Sequence, residues 1–257
     1  MKQTTCMKQF IKGIVLYILV ASCMSLSLAN AVQKQSKKNP EYRVIKVSDG
    51  GSVSGRAIFN GKEVPNDEMF TVTSNREFCG DKIAARKYLI SKDREIKNVV
   101  VYLADITSGK DIPAQRVTVD NVKCAFEPHV SVGFIGKGNM AVNKNSDPIF
   151  HNIHAYMKGR PIYNLGIPEK GTKIKRQFNK SGLMSVTCNA HPWMLSYVQV
   201  FHHPYAAVTN AKGEYFIGEI PAGTYEVRAW HEGFGDISLG KKTVLPGQTT
   251  NVIAAFK

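Results

Sequence analysis

The chain of 257 residues has little that would carry it across a membrane or build it from helices. Outside its amino-terminal stretch no segment approaches the roughly 18 consecutive apolar residues that mark a spanning helix. Apolar positions at helical period are scarce, and the one short turn or helix to expect lies around Asp81 to Lys87. Acidic residues are also few: 20 Asp and Glu face 34 Lys and Arg, a formal net charge of +14. No recognised nucleic-acid-binding module accompanies that charge. The basic surface therefore points to acidic protein partners, polyanions or anionic membrane surfaces, or simply to solubility, and not to nucleic acid. A C-x-x-C-H run is absent, which excludes a covalently attached c-type haem. No nucleophile–base constellation stands out either, so nothing speaks for an enzyme.

What is present begins with an address. Lys2, Lys8 and Lys12 precede an apolar stretch from Ile14 through Leu28, and Ala29-Asn30-Ala31 follows as an A-x-A cleavage pattern. Residues 1–31 read as a bacterial secretory signal peptide, which places the folded part in the periplasm or elsewhere outside the cytoplasm. Val20-Ala21-Ser22-Cys23 also resembles a lipoprotein box, so a lipid anchor at Cys23 competes with plain cleavage. Removing residues 1–31 takes away three Lys and no acid, leaving +14 − 3 = +11. Residues 32–48 open on Val32-Gln33-Lys34-Gln35-Ser36-Lys37-Lys38-Asn39-Pro40, polar and without an apolar period, and read as a flexible tether.

The most informative run is Cys188-Asn189-Ala190-His191-Pro192-Trp193-Met194, a thiolate, an imidazole and a thioether at C-x-x-H-x-x-M spacing. Upstream lies a second imidazole, His151, followed by Asn152. Each residue alone has an ordinary reading: a buried Cys is a small hydrophobe and a Met fills core space. Together, one soft thiolate, two borderline imidazoles and a weak axial sulfur suit copper cycling between two oxidation states, because neither state gets its ideal geometry and little need move on electron transfer. A dinuclear copper–thiolate site would need a second Cys on this loop. A structural zinc site has no use for Met.

The loop CNAHPWM and the upstream segment Asn145-Ser146-Asp147-Pro148-Ile149-Phe150-His151-Asn152 resemble the blue-copper cupredoxins, especially the amicyanin-like members of the plastocyanin and azurin family. The resemblance implies one mononuclear type 1 copper held by His151, Cys188, His191 and axial Met194. It implies that Asn152 supports the site without binding metal, its N–H on the sulfur and its side chain pinning the ligand loop. It also implies that His191 is the more exposed imidazole, with its ring edge toward solvent and Pro192 and Trp193 shaping an apolar docking patch around it. With Cys188 given to copper, Cys79 and Cys124 remain as a pair. A disulfide in an oxidising compartment is the economical reading, and two buried free thiols stay open beside it.

From Gly50 onward, short alternating strands with Gly, Pro, Asn and Asp punctuation give an all-β fold. Residues 116–203 read as a cupredoxin Greek-key sandwich. Its strands are expected at Phe126–Val132, Met140–Asn145, Lys173–Phe178, Leu183–Thr187 and Leu195–Phe201. Residues 204–257 carry a second signature, Thr209-Asn210-Ala211-Lys212-Gly213-Glu214-Tyr215 followed by Pro221-Ala222-Gly223-Thr224-Tyr225, which resembles the carboxypeptidase regulatory-like, transthyretin-type β-sandwich. So short a segment cannot be a whole sandwich. Its missing strands are expected within residues 49–115, at Gly51–Phe59 and Asn98–Leu103, which makes the cupredoxin an insertion. The alternative is a plain tandem in which residues 45–110 extend the cupredoxin.

The remaining imidazoles have their own expectations. His154 falls on the opposite strand face from His151 and is a poor fifth ligand. His129, His202, His203 and His231 have surface or interdomain roles, or His202 or His203 joins His231 in a weaker second metal site. The function that these readings imply is one-electron transfer at the bacterial envelope with a redox partner protein, an acidic cytochrome or dehydrogenase among the candidates. A copper-handling protein and a structural surface module with incidental copper are the competing readings.

Overall fold

The computed structural model describes residues 41–257. The leader expected over residues 1–31, with Cys23, and the tether residues 32–40 lie outside the described residues. The fold is all-β, with one single-turn helix, Arg76–Cys79, among the described residues.

Four larger sheets carry the structure. In the first, strands lie in the order Ala206–Val208, Val100–Leu103, Gly223–His231, Gly235–Val244. The second places Gly51–Phe59 between Glu214–Ile220 on one side and Thr249–Asn251 and Ala254–Phe256 on the other. These two sheets enclose one core, with Val53, Phe59, Val101, Leu103, Ile217 and Val227 buried in it. Strands from residues 51–103 therefore interleave with strands from residues 206–256. Tyr205, wholly buried, ties this body together: its hydroxyl accepts from Lys110 N–H at 2.7 Å and donates to Glu219 O at 3.0 Å.

The third sheet runs Lys173–Gln177, Met140–Asn145, Arg116–Val122, Ala125–Glu127, and the fourth runs Arg160–Ile167, His151–Met157, Gly182–Thr187, Leu195–Phe201, Val130–Phe134. Burial alternates along Met140–Asn145 and along most of Leu195–Phe201, because successive side chains point to opposite faces of a strand. The inward faces share a second core containing Val119, Phe126, Ile153, Val186 and Val198. Inward Asn143 and Asn145 are polar but satisfied: Asn143 Nδ2 donates to Ile174 O, and Asn145 Nδ2 donates to the carbonyls of Ile149 and Ile167. Asn145 so pins the loop that leads into His151. The two bodies meet through Val100, Val130, Phe134 and Phe201, with Tyr102 against Phe201 and Tyr197 against Trp230 at ring separations of 5.0 and 5.2 Å.

Three local expectations are corrected. The helix lies at Arg76–Cys79, and the Asp81–Lys87 stretch instead holds the strand Lys82–Ala84, paired with Met69–Thr71. A strand over Phe126–Val132 is in fact two, in different sheets, because Pro128 has no N–H for a ladder. Residues 41–48 are not wholly a tether: Arg43–Val44 pairs with Ser108–Gly109, and Tyr42 OH donates to Lys110 O at 2.7 Å.

Candidate metal centre

Strand Gly182–Thr187 ends one residue before Cys188, and strand Leu195–Phe201 begins one residue after Met194, so the CNAHPWM loop joins two adjacent antiparallel strands of one sheet. His151 opens the neighbouring strand His151–Met157, which pairs with Gly182–Thr187 from its other side. Three strand ends thus converge. Cys188 Sγ lies 4.0 Å from His151 Nδ1 and 3.6 Å from His191 Nδ1. Met194 shares the same buried cluster with Cys188, and its N–H donates to His191 O at 2.9 Å.

The sulfur sits among donors. Asn152 N–H points at Cys188 Sγ from 3.4 Å, and Asn152 Oδ1 accepts Asn189 N–H at 2.7 Å, which holds the loop to the His151 strand. Burial pushes the Cys188 thiol up, and the backbone N–H groups of Asn152, Ala190 and His191 pull the other way. Both imidazoles turn Nδ1 to the sulfur and are held at Nε2. His151 Nε2 meets Asp147 Oδ2 at 3.0 Å, and His191 Nε2 meets Asn75 Oδ1 at 3.0 Å. A hydrogen donated from Nε2 leaves Nδ1 as the lone-pair donor, the tautomer a metal needs. Burial lowers His151, with Asp147 opposing, and takes His191 down to about 4, helped by the neighbouring His151. Low basicity keeps both rings neutral and available as ligands. A thiol sulfur, two imidazole nitrogens freed in this way and a buried thioether suit copper chemically.

Asp147 was not among the expected site residues. Its buried carboxylate accepts Lys123 N–H at 2.7 Å and Cys124 N–H at 2.9 Å besides touching His151. The hint was its place four residues before His151. Cys124 Sγ, Asp147 and His151 also gather within 4.8 Å, but Cys124 is joined to Cys79, with their Cα atoms 5.6 Å apart. Cys188 is the one free cysteine among the described residues.

The exposed His191 is corrected: its relative exposure is 0%, because residues 69–84 fold over it. Ser74 Oγ donates to Ala190 O at 2.9 Å beside the Asn75 contact. Trp193, expected on a docking patch, is buried, and its indole N–H donates to Cys124 O at 3.1 Å, while Pro192 stays exposed. A shallow groove beside the ligand loop includes Phe150, Asn164 and Asn189, with Phe150 49% exposed. His154 points away from His151 and lies against Asn189 Oδ1 at 3.2 Å and Tyr156 OH at 2.8 Å.

The other histidines do not gather into a metal site among the described residues. His203 packs against Tyr42, Phe201 and Tyr205, whereas His231 packs against Tyr88, Phe234 and Phe256. His129 Nε2 contacts Glu232 Oε1, and both side chains are buried.

No protein-family model matches the chain, and no curated protein does. Among solved structures, amicyanin from Paracoccus versutus aligns at 24% identity over 35% of this chain and 86% of its own, with a TM-score of 0.29. A purple cupredoxin from Nitrosopumilus maritimus aligns at 21% identity over 34% of this chain and 98% of its own, with a TM-score of 0.28. The copper-containing nitrite reductase of Thermus scotoductus aligns at 20% identity over 39% of this chain and 25% of its own, with a TM-score of 0.30.

Proposed function

We propose that the protein is an exported mononuclear copper protein that passes single electrons at the bacterial cell envelope, with His151, Cys188, His191 and Met194 as its ligands. One observation carries the reading: a buried free thiol lies within 4.0 Å of the Nδ1 atoms of two imidazoles whose opposite nitrogens are already hydrogen-bonded. Copper, when bound, supplies a one-electron couple. The chain's own part is to hold four donors on three strand ends of a packed sandwich, so that neither oxidation state can relax far. Asn152 draws charge from the sulfur through its N–H, and Asp147 and Asn75 orient the rings. The net charge of +11 that remains without residues 1–31 (+14 − 3) supports an acidic redox partner, and exposed Phe150 beside Asn189 supports an approach over that face. Export rests on the leader-like residues 1–31 and on the Cys79–Cys124 bond. The interleaved strands support residues 116–203 as an insertion in a second sandwich made of 49–115 and 204–257. The test is visible absorption and electron paramagnetic resonance of the copper-loaded protein, followed by voltammetry. An intense thiolate-to-copper band with a rapid reversible couple is expected; no such band overturns the ligand set.

A second reading, a copper-handling protein that stores or delivers the ion, is favoured by the complete burial of His191. The same spectra with a sluggish, irreversible couple and readily transferred metal select it.

A further inference from the structure

The excursion between Met69 and Ala84 belongs in sequence to the strands of the other body, yet it packs on the ligand loop. Among the described residues its hairpin strands Met69–Thr71 and Lys82–Ala84 pair only with each other. Val72 at its base is 1% exposed and joins the cluster of Cys188, Trp193 and Met194, with Phe70 and Ile83 packed beside it. At its tip Asn75 stands in the left-handed region, φ 52°, which asparagine tolerates better than most side chains. That turn aims Asn75 Oδ1 at His191 Nε2, while Ser74 binds Ala190 O. The helix Arg76–Cys79 starts from Asn75, whose carbonyl accepts the N–H groups of Phe78 and Cys79. Arg76, Glu77 and Phe78 are all exposed, so the tip has almost no packing of its own. What fastens it is the bond from Cys79 to Cys124, a fully buried residue braced by Asp147 below and by Trp193 alongside.

We propose that Cys79–Cys124 is a site of thiol–disulfide exchange with an external dithiol, and that its reduction lifts Asn75 from His191 and opens the metal centre. The proposal rests on the reading of His191 as a metal-facing imidazole. Cys79 is partly exposed and Cys124 is not, so the entering thiolate attacks Cys79 Sγ. Cys124 leaves with the electron pair of the broken bond and takes up a proton. The second thiol of the reductant then displaces Cys79, which leaves two thiols on the chain and a disulfide on the reductant, a transfer of two electrons in all. Without the crosslink the tip keeps two hydrogen bonds and the apolar contacts of its base.

The experiment uses the metal-free full chain and diethyl pyrocarbonate, with the modified histidines located by peptide mass spectrometry before and after treatment with dithiothreitol. His154, partly exposed, is the reference, and His203 and His231, 2% and 1% exposed, report on the rest of the fold. Thiol alkylation counts the reduced cysteines. At least a tenfold faster modification of His191 upon reduction is expected, with His203 and His231 still protected. Asn75→Ala with the disulfide intact should give a smaller rise at His191 alone. Three results overturn the proposal: a disulfide that resists the dithiol under native conditions, a His191 rate unchanged after full reduction, or loss of protection at all three histidines together, which makes the bond a staple of the whole fold. Because no copper is present in this measurement, its failure leaves the spectroscopic test of the ligand set untouched, and the reverse holds too.

Discussion

Replacing the Cys188 sulfur by oxygen removes the one soft donor between two imidazoles and leaves the strands around it unchanged. The Cys188→Ser protein is therefore expected to lose the intense charge-transfer band in the visible spectrum while far-ultraviolet circular dichroism stays that of a β-protein; retention of the band would place the thiolate elsewhere. At Met194, buried in the same cluster, exchange of the thioether for the harder amide oxygen of Gln favours the oxidised metal, so Met194→Gln should bind copper at a lower midpoint potential, read by voltammetry. Tyr205 offers a stability measurement far from the site. Its hydroxyl serves Lys110 N–H and Glu219 O from a fully buried ring, so Tyr205→Phe should cost about 1–3 kcal/mol in denaturant unfolding. A change within experimental error would mean that water replaces the hydroxyl. At this scale much of the site was legible, since the spacing of Cys188, His191 and Met194 is local. Asn75 was not, because a residue 116 positions from His191 carries no sequence signal of contact.

Among the elements, strands with a buried face were the easiest to read. Gly51–Phe59, Met140–Asn145 and Leu195–Phe201 lie where their alternating or apolar runs put them. The helix Arg76–Cys79 is a single turn, too short for any period to show, and the break at Pro128 was masked by the apolar residues on both sides. Pairing gives the next prediction. Val100–Leu103 separates Ala206–Val208 from Gly223–His231, and Gly51–Phe59 separates Glu214–Ile220 from the last strands. A fragment of residues 205–257 alone lacks both central strands and should remain without a cooperative thermal transition, because its edges and half its core stay open. A sharp melt by circular dichroism would restore the tandem arrangement.

For the molecule as a whole, acid is the natural probe. His203 and His231 are buried neutral, their folded pKa values driven by burial from 6.5 down to about 3 and about 4, with the His202 and His129 charges adding to the effect. The unfolded chain protonates both near 6.5, so below that value it binds more protons than the folded state. Their contribution is full above that pH and shrinks by about 1.4 kcal/mol per pH unit for each histidine as acid is added. His231 stops contributing to the slope near pH 4 and His203 near pH 3. His151 and His191 are depressed in the same sense and steepen the profile of the metal-free protein. Urea midpoints measured from pH 7.5 to 4.5 should fall accordingly, and a flat series would mean that these rings are solvated in the folded protein.

The pairing of Gly51–Phe59 with the carboxy-terminal strands has a bearing on time. Ser52 Oγ meets Thr249 Oγ1 across 197 positions of sequence, and Ala57 lies in register with Ala254. A chain emerging from its amino-terminal side presents this strand early, and beyond the bridge of Ile58 with Glu95 it meets no ladder partner until Glu214–Ile220 has appeared. The strands holding the ligand loop, which find most of their partners between residues 116 and 201, can close first. The strand Gly51–Phe59 must be kept from foreign edges for the whole interval, which makes the waiting chain the stage at which aggregation threatens most.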